Sequence, residues 1–259
     1  MREALQGVSS LARSVSFRLP ADNLICVVRI GARLWDRMYD LPRPKGLHPL
    51  EPIVGATHTA VSTPGDLLLH LRAEHVDMCF ELARQTVLSL EGHVKVVDEV
   101  HGFMFFDDRD LLGFVDGSEN PEGRRAVDTV TIGDEDPAYA GGSYVIVQRY
   151  QHDLGAWGAL SVEDQEKAIG RSKLENIEMP DDVKPSNSHV ALNTIHDADG
   201  NQLQIVRDNL PFGSIGDDDF GTYFIGYAKD PPSPSRCCAT CSSVCRRVTT
   251  TGSSTSPPP

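Results

Sequence analysis

One histidine, His189, stands in the run Asn187-Ser188-His189-Val190-Ala191, with Gly113-Phe114-Val115-Asp116-Gly117 upstream and Arg207-Asp208-Asn209 downstream. A neutral imidazole can ligate a metal and leave the opposite coordination position open. An aspartate and an arginine facing that open side supply proton transfer and fixed positive charge. Brought together, these groups are equipment for splitting a peroxide at haem iron.

Each residue also has a plainer reading. His189 could be a hydrogen-bonded histidine at a strand edge, and Asp116 an ordinary Asp-Gly turn. Gly113 and Gly117 let the backbone approach a flat cofactor closely. Arg207 stays charged throughout the working pH range and can stabilise a departing hydroxide, or it can be an exposed arginine at a strand end. Asn209 lies two residues on, on the same side of an extended backbone, where it could hold a water. Arg171, in Ile169-Gly170-Arg171, closes a helix, where a cation suits the C-terminal carbonyls.

The same chain carries Leu34-Trp35-Asp36-Arg37, Leu47-His48-Pro49, Asp98-Glu99-Val100-His101-Gly102-Phe103 and Leu112 through Pro121. Gly142-Ser143-Tyr144, Gln165-Glu166, Lys184-Pro185 and Phe220-Gly221-Thr222-Tyr223-Phe224 follow in order. From about Leu34 to Asp230 the sequence resembles the dye-decolorizing peroxidase family, in its bacterial B-type branch. G-x-x-D-G alone is a weak pattern; the ordered set is specific.

The resemblance implies haem b (iron protoporphyrin IX) with His189 as iron ligand and Asp116, Arg207 and Asn209 on the opposite face. It implies a haem propionate on Arg171 and a cofactor contact from Asn120. Hydrogen peroxide is the implied oxidant, with phenols, dyes or metal ions as donors, and a homo-oligomer the implied assembly. Some relatives enter encapsulin shells through a C-terminal peptide, which this tail does not show. A carboxylate in the C-terminal region is expected to orient the iron-ligating histidine, yet no acid follows Asp230.

Bulk properties narrow the field. With 37 acids against 24 bases the formal charge is −13, which disfavours nucleic acid and anionic membranes as partners. No apolar run is long enough to span a bilayer. The start, Met1-Arg2-Glu3-Ala4-Leu5-Gln6, has no apolar signal core, so a cytoplasmic location is expected. Cys26 and Cys79 read as small buried residues.

The elements that must position the site follow from periodicity. Residues 1–18 have a helical rhythm, 24–30 read as a strand, 66–73 as a strand and 76–90 as a helix with Met78, Phe80, Leu82, Ala83 and Val87 for its core face. Residues 93–103 read as a further strand. Residues 143–150 form a strand, and Ser161 caps a helix running to about Arg171. Residues 190–195, 203–206 and 222–227 are strand candidates, with a hairpin signal at Asp199-Gly200. The resemblance makes this an α+β fold of two ferredoxin-like (βαββαβ) halves with antiparallel sheets, each incomplete. The expected divisions are an N-terminal half at 1–110, a haem-binding half at 111–230 and a disordered tail at 231–259.

The tail has no acid, three arginines and four cysteines, a composition that cannot bury a core and that reads as a shifted reading frame. Its Cys238-x-x-Cys241-x-x-x-Cys245 spacing is ligand-like but lacks a paired second motif. Two functions stand: a haem peroxidase oxidising phenolic, dye or metal-ion donors, and a haem-binding or haem iron-release protein with little turnover. A non-functional truncated product is the third reading.

Overall fold

The computed structural model describes residues 1–54, 59–63 and 65–230. Its elements in chain order are α1 (Arg2–Ser16), β1 (Ile25–Ile30), α2 (Ala32–Met38), β2 (Ile53–Val54), β3 (Thr59–Ala60), β4 (Leu67–Arg72) and α3 (Val76–Ser89). Then come α4 (Gly123–Val130), β5 (Tyr144–Gln151), α5 (Leu154–Gly158), α6 (Val162–Ile169) and α7 (His189–Asn193). The chain ends its regular structure with β6 (Ile195–His196), β7 (Gln202–Leu203), β8 (Val206–Arg207), β9 (Leu210–Ser214) and β10 (Asp219–Ala228). They group into two units, one of Met1–Arg43, Leu47–Pro49 and Thr63–Glu99, the other of Pro44–Gly46, Leu50–Ser62 and the described residues from Val100 onward.

In the first unit β1 and β4 pair antiparallel, from Ile25 opposite Arg72 to Ile30 opposite Leu67. α1 and α3 bury one stripe against each other: Val15, Met78 and Leu82 form a core to which Leu24, Cys26 and Leu71 are added. Met78, Leu82 and Thr86 recur every fourth residue and are buried, the spacing that places side chains on one helix face. Phe80 falls off that stripe and is 59% exposed, correcting its expected place in the core. Cys26 and Cys79 are free thiols, each only partly covered. The strand expected at 93–103 does not form. A β-rich composition needs a neighbouring strand, and the segment meets one only at the Gly102–Phe212 bridge.

The second unit is organised by β10. One edge pairs with β5 from Gly221 opposite Gln151 to Ala228 opposite Tyr144. The other edge is shared: β9 takes Asp219 through Tyr223, and β8 takes Gly226 and Tyr227. Ile205, Phe224 and Ala228 form the core here, with Ile53, Ile146 and Tyr150 against them. All these pairs are antiparallel and the helices lie outside the sheets, an α+β arrangement. β6 and β7 form the hairpin expected at Asp199-Gly200, with Gly200 at φ +84°.

Residues 190–195, expected as a strand, are mostly helix instead. The Ser188 hydroxyl accepts the Ala191 amide at 3.3 Å and caps α7, and that local bond starts a helix where the short apolar run left both readings open. His189 therefore sits in the first turn of a helix, not at a strand edge.

Candidate active site

α7 is set against the end of α6. Gly170 closes α6 at φ +93°, a left-handed conformation that glycine adopts without strain. It is also a close approach, because a Cβ there would lie 2.8 Å from the Ser188 hydroxyl. The missing side chain thus lets the Ser188 cap, fully buried at 0% exposure, seat His189 beside α6.

The surroundings of His189 are dense enough for desolvation to lower its pKa to about 4, with Arg207 lowering it further and Asp116 opposing. Part of the residue's surface nonetheless remains accessible. The ring is neutral at pH 7 and its lone pair is available. The Asn193 carboxamide, one turn later, donates to the His189 carbonyl at 2.8 Å and lies 3.4 Å from Nδ1.

Asp116 is held from two directions. Oδ1 accepts the Gly117 amide at 2.7 Å, and Oδ2 accepts the Asn209 side-chain amide at 2.9 Å. Asn209 is fixed in turn, its Oδ1 taking the Ile225 amide at 3.2 Å. It occupies the break between β8 and β9, where its side chain replaces a missing ladder acceptor and stays free to reach the aspartate.

Arg207 is fixed through its main chain. Asn120 Nδ2 donates to the Arg207 carbonyl at 2.7 Å, and the Arg207 amide donates to Asn120 Oδ1 at 2.9 Å. Among the described residues no carboxylate is within ion-pair distance of the Arg207 guanidinium. Asp116, Asn209, Asn120 and Arg207 are therefore held together by hydrogen bonds, and the charges of Arg207 and Asp116 are felt at His189.

Arg171 lies just past the Gly170 cap. Its Nη1 donates to Glu119 at 2.7 Å, and its remaining nitrogens bond Asn176, at 3.0 Å for the side-chain oxygen. Glu119 joins this arginine to the loop that carries Asp116 and Asn120. Sequence reasoning missed Asn193, Glu119 and the Ser188–Gly170 seat. The Ser188 cap was legible as a serine three residues before a possible helical amide; the others have no local signal.

The donor set limits what could be held. Among the described residues no three His, Cys, Asp or Glu side chains cluster as metal ligands. A single neutral imidazole holds a bare ion poorly but suits one that brings its own equatorial donors, as in a porphyrin. The donor chemistry present fits haem, for which His189 offers one neutral imidazole.

Comparison with known proteins agrees. Residues 3–104 match the model for "Dyp-type peroxidase, N-terminal" and residues 107–238 that for "Dyp-type peroxidase, C-terminal". The chain is 56% identical over 231 residues to a dye-decolorizing peroxidase of Mycolicibacterium paratuberculosis, covering 89% of this chain and 65% of that one. It thus spans just under two thirds of that relative's length. A variant of DypB from Rhodococcus jostii RHA1 solved in complex with heme superposes with TM-score 0.89 at 54% identity, over 91% of this chain and 76% of that one. The encapsulated DyP-type peroxidase of Mycobacterium smegmatis gives TM-score 0.89 at 56% identity, with the same coverage. These likenesses carry the ferredoxin-like α+β fold to this chain.

Proposed function

The chain belongs to the Dyp-type peroxidase family, and we propose that it is a haem-dependent peroxidase reducing hydrogen peroxide at the expense of phenolic, dye or metal-ion donors. The observation that supports this reading is the hydrogen-bonded set that holds Asp116 and Asn209 to Asn120 and Arg207, with the partly accessible imidazole of His189 in the same unit of the chain.

Haem b, when bound, supplies the redox-active iron. His189 would hold the metal through its unprotonated ring nitrogen. Arg171 would pair with a propionate through its forked guanidinium. Asn120 borders the cofactor. Asp116, aimed by Gly117 and Asn209, would move a proton from one oxygen of hydrogen peroxide to the other. Arg207 stabilises the negative charge that develops on the departing oxygen. Asn209 keeps the aspartate oriented between turnovers.

A second reading has one specific observation behind it. His189 Nδ1 faces an amide of Asn193, where a carboxylate acceptor would raise the basicity of an iron-bound imidazole. That favours a haem-binding or haem iron-release protein with little turnover. Haem reconstitution separates the readings. The peroxidase reading expects a defined haem absorption band, lost in His189→Ala, and donor oxidation on adding peroxide. A stable band without donor oxidation leaves the binding protein.

The assembly we propose is a homo-oligomer in the cytoplasm; among the described residues no helix is long and apolar enough to cross a membrane. The disorder expected of the tail, its cysteine spacing and the expectation about a packaging peptide all fall on residues 231–259, outside the described residues.

A further inference from the structure

We propose that Asn120 is a positioning residue for Arg207, and that it sets the register between the arginine and Asp116; this rests on the peroxidase reading above. β8 is two residues long and pairs with β10 on one side only, Arg207 lying opposite Gly226. In an antiparallel ladder successive residues direct their N–H and C=O groups to opposite sides. The Asp208 amide reaches back to the Ile225 carbonyl at 2.9 Å, so the Arg207 amide and carbonyl face away from β10. Without a partner they would be unsatisfied main-chain groups in a half-buried place, which is costly.

The Asn120 carboxamide meets both groups, at 2.9 and 2.7 Å. One side chain stands in for a whole neighbouring strand at one residue. The connection continues into the acid. The Asn120 amide donates to the Gly117 carbonyl at 2.9 Å, closing a turn in which Gly117 adopts φ +78°. The Gly117 amide in turn donates to Asp116 Oδ1 at 2.7 Å. Asp116, Gly117, Asn120 and Arg207 thus form one hydrogen-bonded chain from the proton carrier to the cation. Asn209 makes the second link, from Asp116 to the break after β8. Two carboxamides therefore fix the loop to the strand at two points, and the guanidinium depends on the one that grips its own peptide groups.

The test uses haem-loaded protein and four variants: Asn120→Ala, Asn120→Asp, Arg207→Leu and the Asn120→Ala/Arg207→Leu pair. Asn120→Ala should lower kcat/KM for peroxide about tenfold to a hundredfold, the scale at which small misplacements of a catalytic group are felt. Combined with Arg207→Leu it should add no further loss, because it acts through that arginine. Asn120→Asp keeps the shape. Its ionised carboxylate repels the Arg207 carbonyl, whereas the protonated acid donates to the carbonyl and accepts from the amide as the carboxamide does. Activity relative to wild type should therefore recover as pH falls for Asn120→Asp and stay low for Asn120→Ala, a pattern no general loss of folding produces. Independently of activity, hydrogen exchange at the Arg207 amide should quicken about tenfold or more in Asn120→Ala.

Losses that multiply in the double variant, an unchanged kcat/KM, an absent pH recovery or an unchanged exchange rate would each overturn the proposal. Wild-type protein that takes up haem and consumes peroxide, with Asn120→Ala equally fast, sinks the positioning role alone. Wild-type protein that does neither sinks the peroxidase reading and this role with it.

Discussion

Asn209 donates its side-chain amide to Asp116 Oδ2 across 2.9 Å while its own oxygen is held by the Ile225 main chain. The aspartate is thereby oriented by a group that cannot itself rotate away. Its task, carrying a proton between two oxygens, is one that a water molecule can partly take over. The fixed charge of Arg207 has no such substitute. Arg207→Leu should therefore slow peroxide reduction by roughly 100- to 1,000-fold, the range for losing an electrostatic donor. Asp116→Ala should cost about a hundredfold or less, at or below the lower end for general acid–base catalysis, because water takes over part of its task. Steady-state kcat/KM for peroxide on the two haem-loaded variants tests the order; Asp116→Ala as the slower enzyme would reverse the assignment of roles.

Gly170 and Ser188 fix where the iron ligand sits. A methyl group at Gly170 must fit a backbone at φ +93° and push against the Ser188 hydroxyl. Gly170→Ala should destabilise the protein by about 1–2 kcal/mol and weaken haem uptake as α7 shifts. Thermal melting and a haem titration followed by absorbance measure both. A melt lowered with unchanged haem affinity would mean that α7 tolerates displacement.

The site was more legible than the frame around it. Asp116, Arg207 and His189 stand in short motifs that carry their own chemistry, so their types could be read before any fold was known. What Asn120 grips could not be read, because it depends on which way the Arg207 peptide faces, a consequence of pairing with a strand nineteen positions away by the Arg207–Gly226 register. The α1, β1, β4, α3, β5 and α6 segments were visible because their apolar residues repeat at helical or strand spacing. Residues 190–195 and 93–103 failed for opposite reasons. A buried serine cap turned the first into helix, and the second found no strand to pair with. α2 (Ala32–Met38) is too short for its periodicity to stand out from the proline-rich loop that follows.

Asp110 gives a pH signature with an unusual sign. Desolvation raises its pKa to about 6, against opposing hydrogen bonds led by the Phe114 amide. Its folded pKa is above the unfolded value, so the unfolded chain gives up the proton first as pH rises. Folded stability should therefore be lost between about pH 4 and pH 6, by about 3 kcal/mol from this group. Asp110→Asn keeps the acceptor for Phe114 and removes the charge. The difference in denaturant midpoint between variant and wild type should be flat below pH 4, grow in favour of the variant across that window, and level off above it. A difference independent of pH would mean that the Asp110 carboxyl is solvated as an ordinary surface acid.

The Asn193 carboxamide beside His189 Nδ1 is where the two functional readings part. An amide nitrogen offers that ring atom a donor, where an Nδ1–H hydrogen would need an acceptor. A carboxylate there would accept the Nδ1–H hydrogen, fix the tautomer that ligates through Nε2 and make the imidazole a stronger donor to iron. Asn193→Asp replaces the amide with that acceptor while keeping the length of the side chain. It surrenders the 2.8 Å bond to the His189 carbonyl, a loss of about 1 kcal/mol in stability. If weak axial donation limits this chain, the ferric/ferrous potential of the haem-loaded variant should fall by tens of millivolts, as it does when axial-ligand basicity rises, and peroxide turnover should increase severalfold. Spectroelectrochemistry and a donor-oxidation assay read the two effects separately. A lower potential with unchanged turnover would place the limit on the Arg207 side of the site. An unchanged potential would show that His189 is already oriented by another group.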